Sequence, residues 1–161
     1  MLRNSPAMDQ IVIRAADERD VDALMRLLTA SAESQGAGDS LCVDAEDLLR
    51  HGFGHSPRFH ALVAEASGRV VGLALYCFNF STWKSVNGLH LEDLFVEAEW
   101  RRHGVARALM RELVDIALKS DCGRFQWFVL RSNSGARHFY ESLGARTMDD
   151  WAFMQLDVST P

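Results

Sequence analysis

Cysteine is scarce in this sequence. Three occur among 161 residues, Cys42, Cys77 and Cys122, an odd number set far apart with no CxxC pair. That excludes a zinc ribbon or a disulfide framework as the organising device and fits thiols kept reduced in a cytosol. The six histidines fall into no HExxH or similar spacing, so no metal is expected. Two phosphate-binding signatures are also missing. Without GxxxxGK[ST] the chain is not a P-loop protein, and without GxGxxG after its first strand it is not a Rossmann dinucleotide binder. No basic-then-apolar leader opens the chain. Its longest apolar stretch, residues 70–78, falls well short of the roughly 20 residues of a membrane helix. A net charge of -5 argues against a nucleic-acid face and fits a solvated acidic surface or a cationic partner. There is no internal repeat, low-complexity tract or linker.

What is present is an ordinary globular balance, with 48% hydrophobic and 24% charged residues. The length suits one domain with a real core, spanning 1–161 with ordered residues at about 11–157 and loose tails at 1–10 and 159–161. Residues 11–14 alternate and are β-branched, so they read as a strand. The acidic run at residues 17–20 starts a helix whose apolar face is Val21, Leu24, Met25 and Leu28. Residues 35–40 are a small, glycine-containing loop, and Asp44 caps a short second helix. Strands are expected at 60–65, 69–80 and 88–96, with a Ser67-Gly68 turn between the first two. A strong helix spans 104–119 and a strand 124–130. A helix at 133–143 ends at Gly144, and a closing strand covers 151–157. The order β-α-α-β-β-β-α-β-α-β is that of a mixed α/β sandwich.

The most informative segment is residues 91–107, LEDLFVEAEWRRHGVAR, which ends a strand, turns and opens a helix. The turn holds Arg101-x-x-Gly104-x-Ala106. A helix start offers unpaired N–H groups and the positive end of its dipole, and together these bind phosphate. Gly104 and Ala106 let the backbone approach an anion. Arg101, Arg102 and Arg107 bring charge suited to a pyrophosphate. This run resembles the acetyl-coenzyme A motif of the GNAT acetyltransferases, Gln/Arg-x-x-Gly-x-Gly/Ala. A second unit downstream, Asn133-Ser-Gly-Ala-Arg-His-Phe-Tyr140-Glu-Ser-Leu-Gly144-Ala145, is similar to the family's Asn…Phe-Tyr…Gly helix. Leu91-Glu92-Asp93-Leu94-Phe95-Val96, Gly52-Phe53-Gly54 and Phe139-Tyr140 resemble the spermidine/spermine (diamine) branch.

The resemblance implies a mostly antiparallel central sheet with a splayed strand pair and helices on both faces. It also implies acetyl transfer from acetyl-CoA to a primary amine of a small molecule (polyamine, diamine or lysine-like amino acid) by direct attack in a ternary complex. The cofactor arm would lie on Leu94, Phe95 and Val96, with the Leu94 N–H facing the thioester oxygen. The pyrophosphate would lie on Arg101, Arg102, His103, Gly104, Val105, Ala106 and Arg107. Asn133 and Ala136 belong to the second cofactor-binding unit. Tyr140 would face the leaving thiolate, and Glu92 would anchor the amine or act as its base through water. Adjacent strand residues point to opposite faces, so Asp93 reads as structural. His90 and His103 are weaker candidate bases.

The branch places acidic residues in the loop after the first helix. Here that loop is glycine-rich and keeps only Glu33 and Asp39, and Asp150 could supply a further carboxylate. Trp83, Trp127 and Trp151 read as core or pocket wall, and Cys122 has no base at a telling spacing. Family resemblance also implies a homodimer, with Trp151 and Phe153 as a candidate interface, while the reduced thiols, the acidic balance and the short apolar runs imply a cytoplasmic protein with no nucleic acid or membrane partner. Two other readings stand: a protein or peptide N-acetyltransferase, whose difference would show in residues 80–88, and a non-catalytic acyl-coenzyme A sensor on the same fold.

Overall fold

A computed structural model describes residues 11–158; the two tails expected to be loose lie outside the described residues. The chain divides into a unit that ends at Trp127 and a second that begins at Phe128.

The first unit is built on a five-stranded sheet in the order β1-β2-β3-β4-β5. Its strands are β1 (Val12–Ala15), β2 (His60–Ala66), β3 (Arg69–Ser81), β4 (Val86–Val96) and β5 (Cys122–Trp127). The first three pairings are antiparallel and β4–β5 is parallel. A parallel pair needs a crossover, and helix α3 (Val105–Lys119) supplies it. Helices α1 (Val21–Ser34) and α2 (Ala45–Gly52) sit between β1 and β2 in sequence. Both are started by local chemistry. Asp17 and Asp20 form a capping box on a single 3₁₀ turn that leads into α1, and Asp44 with Asp47 does the same for α2. Each acidic side chain satisfies a backbone N–H that the helix itself leaves unpaired.

Side chains divide cleanly between the two faces of the sheet. Ala61, Val63, Val70, Leu73, Leu75 and Phe95 pack with Leu24, Leu27, Leu28 and Leu48 of α1 and α2. Leu27 joins this core as well, and Met25, half-buried, packs against it. The other face receives α3, whose buried side chains are Val105, Leu109, Met110, Leu113 and Ala117. Gly72 marks where α3 presses closest, since a Cβ there would come within 3.3 Å of Val105 Cγ1 and of Val96 Cγ2.

An ion-pair network ties the ends of this layer together. Arg14 of β1 donates to both carboxylate oxygens of buried Asp20, at 2.7 and 2.9 Å, and to Glu65 of β2 at 3.0 Å. The guanidinium holds the Asp20 carboxyl below its ordinary range.

The second unit contains α4 (Ser134–Glu141), capped by Asn133, whose Oδ1 accepts the N–H of Ala136 at 3.1 Å. Two expectations are corrected here. The strand read over 124–130 stops at Trp127, because the β4–β5 ladder ends with the pair Leu91↔Trp127. The closing strand over 151–157 does not form, and those residues run irregularly with exposed side chains. Their alternation is that of a strand, but a strand requires a neighbouring strand for its backbone groups, and among the described residues no strand of the sheet pairs with this segment.

Candidate active site

Strand β4 carries the site, and two irregularities make it one. The first is a bulge. Leu75 of β3 stands opposite Asp93, and the next residue, Tyr76, stands opposite Leu91, so Glu92 is the extra residue between them. A bulge of this kind breaks the alternation of the strand and re-aims a side chain. Before it, Leu89 and Leu91 share the face of Tyr76. After it, Leu94 and Val96 take over that face opposite Ala74 and Gly72. Asp93 therefore faces α1 and α2 together with Leu75. Glu92 comes to the same side, where its Oε2 lies 3.4 Å from Nε2 of His90, the partner of Cys77.

The second irregularity is the early end of β5. Its pairing covers residues 87–91 of β4 and no further. Among the described residues, 93–96 of β4 pair in the sheet with β3, and no strand of the sheet pairs with their other side. This is the splayed pair, and the segment left with one-sided pairing contains Leu94, Phe95 and Val96.

From Val96 the chain turns through a single 3₁₀ turn (Ala98–Trp100) into Arg101, Arg102, His103 and Gly104, all exposed. Glu97 anchors the entry to this turn. Its carboxylate pairs with Arg26 of α1 and, at 2.8 Å, with Arg69 at the start of β3. Arg101 folds back onto the strand, its Nε donating to the Val96 carbonyl at 3.0 Å and its guanidinium 5.5 Å from the Phe95 ring centroid. Part of its function is thus to fasten the turn. His103 Nδ1 lies 2.8 Å from the Arg101 carbonyl, with its ring beside Trp100. Arg102 and Gly104 both have left-handed backbone, with φ of 62° and 83°. Gly104 is the N-cap of α3 and, as a glycine, has no side chain with which to cap it.

These residues fit a pyrophosphate-bearing group. A Cβ built on Gly104 meets no atom within 4 Å, so the concave side of the turn is clear. The first turn of α3 presents its N–H groups and dipole there.

A cavity of about 340 Å³ opens on the α1/α2 face. Its apolar wall includes Leu28, Leu41, Val43, Phe59 and Leu75, its neutral polar groups are Ser31, Gln35 and Ser40, and among the described residues Asp93 is the one charged residue lining it. Burial raises the Asp93 carboxyl above the ordinary aspartate range, and the nearby charge of Glu92 adds to the shift. Asp93 is therefore the residue that reading the strand as flat misses. The signal in the sequence was the pair of adjacent acids in an otherwise apolar strand. Glu33 is exposed on the last turn of α1 and does not line this cavity. Trp83 stands at the exposed tip of the β3–β4 hairpin.

In the second unit, Tyr140 lies on α4 next to Phe139, with ring centroids 5.3 Å apart. Burial raises its phenol above the ordinary tyrosine value. Asn133 and Ala136 are joined by the cap hydrogen bond. Asp150 is exposed in the irregular segment that follows. Among the described residues no three His, Cys, Asp or Glu side chains converge on a point that could hold a metal. Nor is any helix there long and apolar enough to cross a membrane.

Comparison with known proteins places the chain by sequence and by fold. The pattern of the acetyltransferase (GNAT) family matches residues 21–145. A thialysine N-epsilon-acetyltransferase of Bos taurus is 35% identical over 148 residues, covering 87% of this chain and 86% of that protein. A human spermidine/spermine N(1)-acetyltransferase-like protein 1 is 32% identical over 146 residues, 86% of this chain but 21% of that longer protein. Among solved structures, an aminoglycoside acetyltransferase from an uncultured soil metagenomic sample superposes with a TM-score of 0.78 at 15% identity, covering 92% of this chain and 97% of that one. At that identity the likeness is one of fold.

Proposed function

The chain belongs to the acetyltransferase (GNAT) family, and from that premise we propose that it transfers acetyl from acetyl-CoA to a primary amine of a small molecule by direct attack. The observation that carries this reading is the course of β4, which runs on beyond its β5 partner and straight into the Gly104 turn and the start of α3. Relatives named for thialysine and for spermidine/spermine support an acceptor with an aliphatic amine.

Acetyl-CoA would supply a thioester-activated acetyl group. The Gly104 turn and the first turn of α3 would hold its pyrophosphate, with Arg102 and Arg107 adding charge. Residues 94–96 would offer backbone N–H groups along the arm, and the N–H of Leu94 would oppose the charge that develops on the carbonyl oxygen. Asn133 and Ala136 would also hold the cofactor, as the family resemblance implies. Glu92 would anchor the acceptor ammonium and receive its proton, directly or through one water. Tyr140 would return a proton from its Oη to the leaving sulfur. A phenol pushed upward by burial stays protonated at neutral pH, as a donor must.

The cavity beneath residues 35–43 supports an acceptor with an alkyl segment and a further cationic group, which Asp93 in its wall would meet. We extend the reading to a homodimer on the strength of the family resemblance, and size-exclusion chromatography with light scattering tests it.

The deciding experiment incubates the purified chain with acetyl-CoA and thialysine, lysine, spermidine, putrescine, an aminoglycoside or short peptides, and follows release of free thiol. Turnover with the small amines is expected. Turnover with peptides alone would move the assignment to a protein acetyltransferase, and acetyl-CoA binding without turnover on any acceptor would make the chain a sensor. Tyr140→Phe is expected to lower kcat by about 100-fold with little change in either KM, the scale of a lost general acid.

A further inference from the structure

On the face of β4 turned toward α1 and α2, a short polar run interrupts an otherwise apolar surface. His90 stands between Cys77 of β3 and Gln126 of β5 in the sheet. Its side chain is only 15% exposed, whereas that of Glu92 is 65% exposed. The two meet through Nε2 and Oε2 at 3.4 Å, within the roughly 4 Å reach of an ion pair.

The contrast in exposure gives this contact a direction. An imidazole flanked by strands on both sides has few places to go. A glutamate side chain on an exposed bulge has many, and fixing one carries an entropy cost of up to about 2 kcal/mol. A group that must meet an incoming ammonium in one geometry gains from being fixed beforehand by a neighbour that is itself held. The bulge makes this possible. Two residues on, in a flat strand, side chains project in parallel about 6.6 Å apart; here the extra residue lets Glu92 turn back to His90.

We propose that His90 is a positioning residue for Glu92: with the ring proton on Nε2, it holds Oε2 and leaves Oε1 presented to the acceptor amine. This rests on the reading of Glu92 as the group that meets the amine. It assigns His90 no contact with acceptor or cofactor, and no proton passes through it. The surrounding groups are consistent with that role. Cys77, directly across on β3, has its thiol pushed up by burial first and by the Glu92 charge second, so it stays neutral and does not compete for the imidazole. Gln126 across on β5 is uncharged. Arg124, two residues before it, is turned to Asn79 Oδ1 at 2.9 Å.

Steady-state kinetics on the full chain, with thialysine and spermidine as acceptors, test the assignment through a double-mutant cycle. His90→Ala is expected to raise the acceptor KM about fivefold, the scale of one charge-assisted hydrogen bond, and to leave the acetyl-CoA KM unchanged. His90→Gln, whose amide N–H can reach the same oxygen, is expected to restore most of the loss. In a Glu92→Gln background, His90→Ala should add less than twofold. Equal effects of His90→Ala with and without the Glu92 carboxylate would overturn the inference. So would a parallel rise in the acetyl-CoA KM, or a glutamine variant no better than alanine. If Glu92→Gln itself leaves the acceptor KM and kcat unchanged, or wild type acetylates neither amine, the reading of Glu92 falls and the role of His90 with it. A defect in Glu92→Gln without one in His90→Ala removes the His90 inference alone.

Discussion

Glu92 and Asp93 are neighbours in the chain yet present both carboxyl groups to the same face of β4. Asp93 stands opposite Leu75, whereas Glu92, squeezed out of register, reaches back to His90. Asp93, sheltered and beside a second acid, resists ionisation.

Asp93 is therefore expected to cost the fold stability at neutral pH. Its carboxyl is raised by burial first and by Glu92 second, so the folded chain holds this proton more tightly than the unfolded chain does. Stability then falls as pH rises from the ordinary aspartate range, about 4, through the raised value. Asp93→Asn is expected to melt higher than wild type at pH 7.5, with the difference shrinking as the pH is lowered toward 4. Thermal melts across that range read it directly. A lower melting temperature for Asp93→Asn at pH 7.5 would show that the ionised carboxylate makes a bond the fold depends on.

Asp20 carries the opposite sign. Arg14 and the Asp17 N–H hold its carboxyl low, so its contribution is complete above the ordinary carboxylate range and is lost as pH falls through the depressed value. Asp20→Ala strands a partly sheltered guanidinium and uncaps the turn into α1. A loss of about 2 kcal/mol is expected at pH 7, or a fall in Tm of roughly 4–8 °C for a chain of this size. The deficit should narrow in acid. A Tm within a degree of wild type at pH 7 would contradict it.

Gly104 separates two reasons for a glycine. Its φ of 83° is strained for an ordinary side chain, by about 1–2 kcal/mol, and asparagine tolerates it best. The open space where a Cβ would stand matters only when an anion occupies it. Gly104→Asn is accordingly expected to melt above Gly104→Ala, while both raise the acetyl-CoA KM about tenfold and leave the amine KM alone. A Gly104→Asn enzyme with wild-type KM for acetyl-CoA would reduce the role of this glycine to backbone geometry.

Features written in neighbouring residues were legible from sequence. The acids at 17–20 and 44–47 announce their capping boxes, Asn133 its cap and Gly104 its turn, because each signal acts within one helical turn. The β2, β3 and β4 boundaries fell within two residues for the same reason. What escaped depends on a distant partner. The bulge at Glu92 exists only relative to β3, so the flat-strand rule assigned Asp93 to the wrong face. The apolar run at 124–130 gives no hint that its ladder stops at Trp127. The alternation at 151–157 says what that segment could pair with, not that a partner exists. Of the candidate site, the Gly104 turn and the polar end of β4 could be read in advance. The cavity with Asp93 in its wall could not, since Leu28, Phe59 and Leu75 are brought together only by the fold.

The one-sided pairing of residues 93–96 has a consequence outside catalysis. An apolar strand with an unclaimed row of backbone groups is a template on which a second chain can assemble, and proteins guard such edges with charge. Here the guard is Glu92, exposed at the near end of Leu94-Phe95-Val96. The acid assigned to the acceptor amine would thus also protect this edge. Neutral variants made to study the chemistry should therefore be handled dilute, and a loss of activity in them checked first for aggregation.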